Sequence, residues 1–161
     1  MTDEPVRVAH DSGFPPFAEF KDGKSEGLAV DIFRAVAAWA GVDVKFVPVS
    51  FEQRQLTLAD GRADAYFPLS ITPERLQLLD FSDVLVVSGA SLFVRASDAP
   101  PENLAALADK VVVTPRTGPV APFIQKTAPA IKLVVTTDYE ESLGRLVRGE
   151  AAAAALSYHV G

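Results

Sequence analysis

Hydrophobic and polar positions along the chain alternate between a strand-like period and a helix-like period. In the first half, short apolar segments typical of strands lie at residues 6–9, 44–49 and 65–67. Apolar residues at helical spacing separate them, most clearly over 28–40, where Gly41 follows as a natural end, and more weakly over 52–59. Strands separated by helices predict right-handed βαβ units and a mainly parallel sheet.

The same alternation returns in the second half. Strands are predicted at 111–114 and 131–135, and a helix is predicted at 120–126. A further helix is predicted behind Thr137-Asp138-Tyr139-Glu140, which has the pattern of a capping box. The run Ala151–Ala155 is ambiguous, because alanine favours helices whereas the alternation of elements requires a strand. We predict a strand there.

The long apolar run Val84–Val94 suggests how the two halves are joined. It exceeds the length of a typical strand and has Ser88-Gly89 in its middle. Two interpretations stay open, namely two strands with a turn, or a strand that passes from one lobe to another. We expect a first lobe at 1–87, a hinge strand at 88–97 and a second lobe at 98–161. Ligands of open α/β sheets bind beyond the carboxyl ends of the strands. The loops to examine are therefore 10–17, 67–75, 114–119 and 156–159.

Composition excludes several classes of function. Apolar residues make up 48% of the 161 residues, so a core can be buried. A formal net charge of −6 argues against nucleic acid as a partner, although a single placed arginine can still bind a small anion. The absence of cysteine excludes a disulfide scaffold, a thiolate zinc site and a cysteine nucleophile. With only two histidines, a metal site is not expected, and no cofactor is predicted.

The sequence contains no apolar run near the roughly 20 residues that span a bilayer. The segment Met1–Pro5 also lacks the basic start and apolar stretch of a secretory signal. Either a cytosolic protein or a mature or excised piece of an exported one is compatible with this pattern.

Five motifs in order give the chain a family resemblance over residues 6–95. They are His10–Phe17, Gly27–Ile32, Gly61–Ala65, Ser70–Arg75 and Asp80–Asp83. Together they resemble the bacterial extracellular solute-binding proteins of family 3, the periplasmic amino-acid-type receptors of ABC importers. The resemblance implies an α/β fold of the two-lobed periplasmic-binding-protein type II (flytrap), with mainly parallel sheets and helices on both faces. Members of the family continue beyond the point that corresponds to Gly161, so we expect the second lobe to be incomplete.

The resemblance also implies a carboxylate site. The arginine of the Thr-Pro-Glu-Arg segment, here Arg75, binds the α-carboxylate of the ligand in such proteins, and Ser70 stands where a hydroxyl contacts the same group. A planar guanidinium fork matches a carboxylate in a bidentate way. The alternatives are an exposed Arg75 paired with Glu74 or Asp80, and a Ser70 that only caps a turn.

Three more residues of the first lobe match ligand-contacting positions of the family. Phe14 and Phe51 correspond to aromatic rings that enclose the ligand side chain, although a phenylalanine is more often part of a core. Asp11 corresponds to a residue that contacts ligand side chains or amines, and its alternative role is to cap the loop.

In the second lobe, Thr117 and Gly118 precede a predicted helix, where backbone N–H groups attract a carboxylate. Ser157 stands where amino-acid receptors usually hold the ligand ammonium with a carboxylate, and a hydroxyl provides no charge-assisted bond. Pro68 replaces a residue with a usable N–H. An organic acid or another carboxylated solute is therefore an alternative to an amino acid.

The resemblance implies a receptor that binds a small carboxylated solute, partners an ABC permease and works in the periplasm or another extracytoplasmic space, its signal peptide being absent from this sequence. The alternative is a ligand-sensing domain excised from a membrane signalling protein. A less favoured possibility is an enzyme that dehydrates prephenate-like or arogenate-like acids, with Asp11 and His159 as acid–base candidates. No Ser-His-Asp ordering or metal spacing supports catalysis, so we expect no enzyme.

Overall fold

The computed structural model describes residues 4–50, 52–116 and 118–161. Contacts between residues divide the chain into two compact units, one ending at Phe81 and the other running from Ser82 to Gly161. The sequence predicts a first lobe at 1–87 and a hinge strand at 88–97. The one strand within 88–97 belongs to the sheet of the second unit. A hinge role for this segment stays a prediction.

The first unit is built around a parallel sheet of three strands in the order β5-β1-β6, where β1 is Val6–Asp11, β5 is Val44–Val49 and β6 is Ala65–Tyr66. Pro48 lies in β5, an edge strand, where its missing N–H removes no central sheet bond. The predicted bounds of β5 are confirmed, and β1 extends two residues beyond its predicted end.

Helices cover both faces of this sheet. Helix α1, Leu28–Ala40, has the predicted bounds and ends at Gly41 in the left-handed conformation. Its Phe33 ring contacts the Phe46 ring of β5 edge to face. Helix α2, Arg54–Ala59, is two residues shorter at its start than predicted. Its side of the sheet holds the core cluster of Ala9, Val49 and Ala63, against which Leu58 packs.

Three short strands that follow β1 and precede α1 in the chain form a small antiparallel sheet, which the sequence did not predict. Its strands are β2 (Gly13–Phe14), β3 (Ala18–Lys21) and β4 (Lys24–Glu26). The predicted turn at 21–24 joins β3 to β4, and both Asp22 and Gly23 have positive φ, as a tight hairpin requires.

Gly27 fixes the position of the loop before α1. The first N–H groups of the helix, from Leu28 and Ala29, donate to the carbonyl oxygens of Pro16 and Phe17. A Cβ on Gly27 would lie 2.4 Å from the Phe17 oxygen, and φ there is 122°. Only glycine permits this approach, and it ties the loop that contains Phe14 to the helix.

The second unit contains a four-stranded sheet in the order β7-β10-β8-β9. These strands are β7 (Ala90–Phe93), β8 (Val111–Pro115), β9 (Lys132–Thr136) and β10 (Ala153–Ser157). Only the β7–β10 pair is antiparallel. The strand prediction for the alanine run is therefore confirmed.

Val112 and Val113 belong to different core clusters, one with Ile124 of α3 (Val120–Thr127) and one with Leu146 of α4 (Tyr139–Val147). Helices thus cover both faces here as well.

Two local predictions in this unit are wrong, the interpretation of 84–94 as two strands with a turn and the position of the cap of α4. The run 84–94 contains one strand, β7, and its start through Gly89 is exposed and outside any strand. An apolar run without alternation does not define a strand when no neighbour pairs with it. The cap of α4 is Asp138, one residue later than predicted. Asp138 accepts the Glu141 N–H at 2.8 Å, and Glu141 accepts the Thr137 N–H at 2.9 Å.

Candidate functional site

The carboxyl ends of β1 and β6 form one edge of the first sheet. The two strands are parallel neighbours, with Ala9 of β1 opposite Tyr66 of β6. Asp11 is the last residue of β1, and the segment leading to Arg75 begins directly after Tyr66. Open α/β sheets bind ligands at this edge, so the polar groups here are the candidates for ligand contact.

Arg75 and Ser70 are joined directly. Nη1 of Arg75 donates to the Ser70 hydroxyl at 2.5 Å and to the Ser70 carbonyl oxygen at 2.7 Å. The backbone N–H of Arg75 also donates to Thr72 Oγ1 at 3.4 Å. Within the described residues, Nε and Nη2 of Arg75 donate no hydrogen bond and Arg75 forms no ion pair. The guanidinium is thus oriented by one nitrogen while two donors in a fork are left for a carboxylate.

Arg54, in the first turn of α2, brings a second positive charge to this edge. Burial, followed by the charge of Arg54, lowers the pKa of Arg75. Burial likewise lowers the pKa of Arg54, while Tyr66 and Asp11 oppose that shift. A guanidinium keeps its proton at neutral pH even so. The site therefore contains two cations that repel each other.

Both of these charges act on the hydroxyl of Tyr66. It is buried and has no hydrogen bond of regular geometry to any described residue, although Arg54 approaches it closely. Burial raises the pKa of Tyr66 to about 12, the Asp11 carboxylate acts in the same direction, and the arginine charges oppose the rise. The hydroxyl is therefore a neutral donor at physiological pH.

Asp11 caps its own loop. Its Oδ1 accepts the backbone N–H of Gly13 at 3.0 Å, which is the alternative role considered from sequence. The carboxylate also acts electrostatically on Arg54 and Tyr66. Direct contact between Asp11 and a ligand stays a prediction.

Phe14 and Phe51 are the two aromatic residues that are predicted to contact the ligand. Phe14 is half-buried and stacks on the buried ring of Phe17, with centroids 5.3 Å apart and planes inclined by 23°. Phe51 lies outside the described residues. A ligand contact by either ring stays a prediction.

Three predicted site residues, Thr117, Gly118 and Ser157, belong to the second unit. Gly118 is half-buried and has a φ of 90°, two residues before α3 begins. Thr117 lies outside the described residues. Ser157 ends β10, and its carbonyl oxygen accepts the N–H groups of Val160 and Gly161 at 3.1 and 2.9 Å. Their roles in ligand binding stay predictions.

Arg54 and Tyr66 are not among the site residues that the sequence predicts. Tyr66 lies within the predicted strand 65–67, so its place near the carboxyl end of a strand was open to inference. Arg54 belongs to a helix with a weak apolar period, and no sequence signal pointed to it. Within the described residues, no group of three or more metal-ligating side chains occurs. None of the helices described is both long and apolar enough to cross a membrane.

Comparison with known proteins agrees with this fold. The model of the bacterial extracellular solute-binding proteins, family 3, matches residues 6–150. A glutamine-binding protein of Geobacillus stearothermophilus is 29% identical over 149 residues, which are 90% of this chain and 57% of that protein. The chain thus spans little more than half the length of this curated relative.

Two solved structures are similar. An ancestral amino acid-binding protein, a precursor of cyclohexadienyl dehydratase, is 26% identical with a TM-score of 0.88, over 97% of this chain and 72% of the other. A histidine kinase sensor domain with similarity to periplasmic binding proteins is 24% identical with a TM-score of 0.87, over 95% and 68% of the two chains. The latter likeness concerns the fold. With its family model covering residues 6–150, the chain belongs to the bacterial extracellular solute-binding proteins, family 3.

Proposed function

We propose that this chain binds a small carboxylated solute, an amino acid or an organic acid, through Arg75 and Ser70. The observation that carries the proposal is the orientation of Arg75, whose Nη1 is held by Ser70 while the remaining donors stay available. Partial removal of this guanidinium from water strengthens its attraction to an anion. Membership of a solute-binding family and a glutamine-binding relative support the same class of ligand.

In this proposal the protein acts extracytoplasmically as the receptor of an ABC importer and delivers the solute to a permease. The family consists of extracellular binding proteins, and such a role requires binding without turnover. Uptake of the identified solute by cells of the source organism tests the transport step. We expect deletion of the gene to abolish high-affinity uptake, wild type to restore it, and Arg75→Met to fail. Unchanged uptake in the deletion strain would refute the transport role.

Binding itself is tested by calorimetry against a panel of amino acids and organic acids. We expect Arg75→Met to weaken binding of the best carboxylated solute at least about a hundredfold, since charge-assisted bidentate contacts are lost. Arg62→Met is the matched control, because Arg62 is exposed and pairs with Asp60 at 3.5 Å. Equal affinities of wild type and Arg75→Met, with the fold intact, would overturn the proposal.

A further inference from the structure

Both units contain the same short turn between a helix and a strand. In the first unit it is Gly61-Arg62-Ala63-Asp64-Ala65, between α2 and β6, and in the second it is Gly149-Glu150-Ala151-Ala152-Ala153, between α4 and β10. Each turn begins with a glycine in the left-handed region, with φ of 66° and 77°. The two turns can therefore be compared residue by residue.

The same backbone bond ties each turn to the strand beside it. The Asp64 N–H donates to the Arg7 carbonyl oxygen of β1 at 2.8 Å. The Ala152 N–H donates to the Val111 carbonyl oxygen of β8, also at 2.8 Å. Ala152 thus stands in the second unit where Asp64 stands in the first.

In the first unit a carboxylate fills this position. Asp64 accepts the backbone N–H of Arg7 at 2.8 Å, and it accepts Nε and Nη2 of the same residue at 3.1 and 2.7 Å. In the second unit Ala152 provides only a methyl group, and no side chain of the described residues accepts the Val111 N–H. The place of the carboxylate is therefore open there.

A surface pocket of about 300 Å³ lies at this place. Lys110, Val111 and Ala152 are among the residues that line it. Lys110 is exposed, and within the part of the chain that the structure describes its ammonium group pairs with no carboxylate. A backbone N–H and an ammonium group are the donors that a carboxylate requires.

The other charged groups of the pocket are already paired. Glu150 pairs with Arg148 at 2.5 Å, and Arg95 pairs with Asp98 at 2.5 Å. The charge of Lys110 is what remains, so the pocket favours a ligand with a single negative charge.

An apolar pocket of about 500 Å³ adjoins the first one and shares Arg95, Lys110 and Ala152 with it. Its other lining residues are mostly apolar, namely Val94, Asp98, Ala99, Pro101 and Leu107. We propose that the two pockets together bind an amphipathic monocarboxylate, with its carboxylate at the Val111 N–H and Lys110 and its chain in the apolar pocket. Burial of each methylene group then adds to the affinity.

This site is separate from the one in the proposed function. Val111 and Ala153 begin their strands, so the pockets lie at the amino ends of β8 and β10. Ser157, a predicted ligand residue of the same unit, lies at the opposite end of β10. The inference therefore holds whether or not Arg75 binds a solute.

Amide chemical shifts of the ¹⁵N-labelled protein test the site. The probes are acetate, butyrate, hexanoate and octanoate, with hexanol and octanol as uncharged counterparts of the last two. We expect octanoate to shift the amide signals of Val111 and Ala152 saturably. Its affinity should exceed that of acetate and that of octanol by about tenfold or more each.

Variants identify the groups that bind the acid. We expect Lys110→Met to weaken octanoate about fivefold or more, and Lys126→Met, which removes an exposed cation outside both pockets, to weaken it less than about twofold. Ala152→Asp supplies a carboxylate from the chain itself. It should abolish octanoate binding and raise the midpoint of thermal unfolding by about 2–4 °C, whereas Ala152→Asn should give the smaller rise.

Two results would overturn the inference. One is the absence of a saturable shift at Val111 with octanoate up to about 10 mM, or equal binding of octanoate and octanol. The other is octanoate binding that is unchanged in both Lys110→Met and Ala152→Asp. Lys110 is exposed, so Lys110→Met remains decisive if Ala152→Asp is unfolded.

Discussion

The His10 ring of β1 lies 2.7 Å from the hydroxyl of Ser25 in β4, measured from Nε2 to Oγ. Its other nitrogen, Nδ1, lies 2.8 Å from the Asp11 carbonyl oxygen, which can only accept a hydrogen bond. Nδ1 therefore carries a proton, and in the neutral ring Nε2 accepts the Ser25 hydroxyl proton. With both side chains buried, this bond links the parallel sheet to the small antiparallel sheet.

Removing the Ser25 hydroxyl is therefore expected to destabilise the protein. Ser25→Ala leaves a buried ring nitrogen without a partner and should lower the free energy of unfolding by about 1–3 kcal/mol. Urea unfolding followed by circular dichroism measures the change. Ser12→Ala is the control, because Ser12 is exposed and, among the described residues, forms hydrogen bonds only through its backbone. Equal stability of the two variants would contradict the structural role of the bond.

Glu141 makes stability depend on pH. Hydrogen bonds from the Thr137 backbone and hydroxyl, then from Arg145, lower the pKa of Glu141 from 4.5 to about 2. Its contribution is therefore complete above pH 4.5 and is lost as pH falls towards 2, because the unfolded state takes up the proton first.

We expect Glu141→Gln to unfold at a lower temperature than wild type at about pH 6, and this difference to shrink at about pH 3. Calorimetric unfolding across the range measures it. Glu140→Gln is the matched control, because it removes a charge from the same helical turn while Glu140 makes no hydrogen bond among the described side chains. A difference that grows as pH falls would contradict the expected sign.

The sequence predicted elements best where periodicity and a terminator coincide. Helix α1 has its predicted bounds because apolar spacing and Gly41 agree on its end. The antiparallel sheet of β2 to β4 was missed, since strands of two to four residues are too short to show an alternation of period two. Only the turn at Asp22-Gly23 gave a signal, because its chemistry is local.

The candidate site was predictable only in part, for the same reason. Ser70 and Arg75 belong to one short motif, and their contact is local in the chain. Tyr66 lies in β6, and packing of α2 against the sheet brings Arg54 to the same end of the sheet, which no periodicity in the sequence indicates. Tertiary packing decides which charged side chains become neighbours in this way, so the sequence alone does not predict them.

Strand β10 shows how tertiary packing overrides alanine's helical preference. Ala153 and Ala154 are fully buried, and Ala154 pairs with Val113 on one side and Phe93 on the other. We expect Ala154→Leu to lower the free energy of unfolding by about 1–3 kcal/mol through overpacking.

Ala152→Leu is the matched control for this change, because Ala152 lines a surface pocket of about 500 Å³. Ala152 also packs against the core cluster of Val112 and Ala153, but its side chain can extend into the pocket, and the expected change is about 1 kcal/mol or less. Urea unfolding compares the two variants. If Ala152→Leu proved the more damaging, the packing around β10 would differ from that described.

Arg95 joins the end of β7 to the end of α4. Its Nη1 donates to the carbonyl oxygens of Leu146 and Ala151, both at 2.8 Å, and its Nη2 pairs with Asp98 at 2.5 Å. Leu146 and Ala151 are buried residues, and the Leu146 oxygen also accepts the Gly149 N–H at 3.1 Å, so Arg95→Met mainly deprives the Ala151 carbonyl group of its donor. We expect a loss of about 2 kcal/mol in the free energy of unfolding.

Arg148→Met provides the comparison that isolates the carbonyl contacts. Arg148 pairs with Glu150 at 2.5 Å, and both side chains are about half exposed. Exposed ion pairs contribute about 1 kcal/mol or less, so Arg148→Met should cost clearly less than Arg95→Met. Hydrogen exchange of the amides in β10 gives a second, local measure, and we expect it to accelerate in Arg95→Met alone. Equal losses in both variants would mean that the bonds from Arg95 to the chain contribute no more than an exposed ion pair.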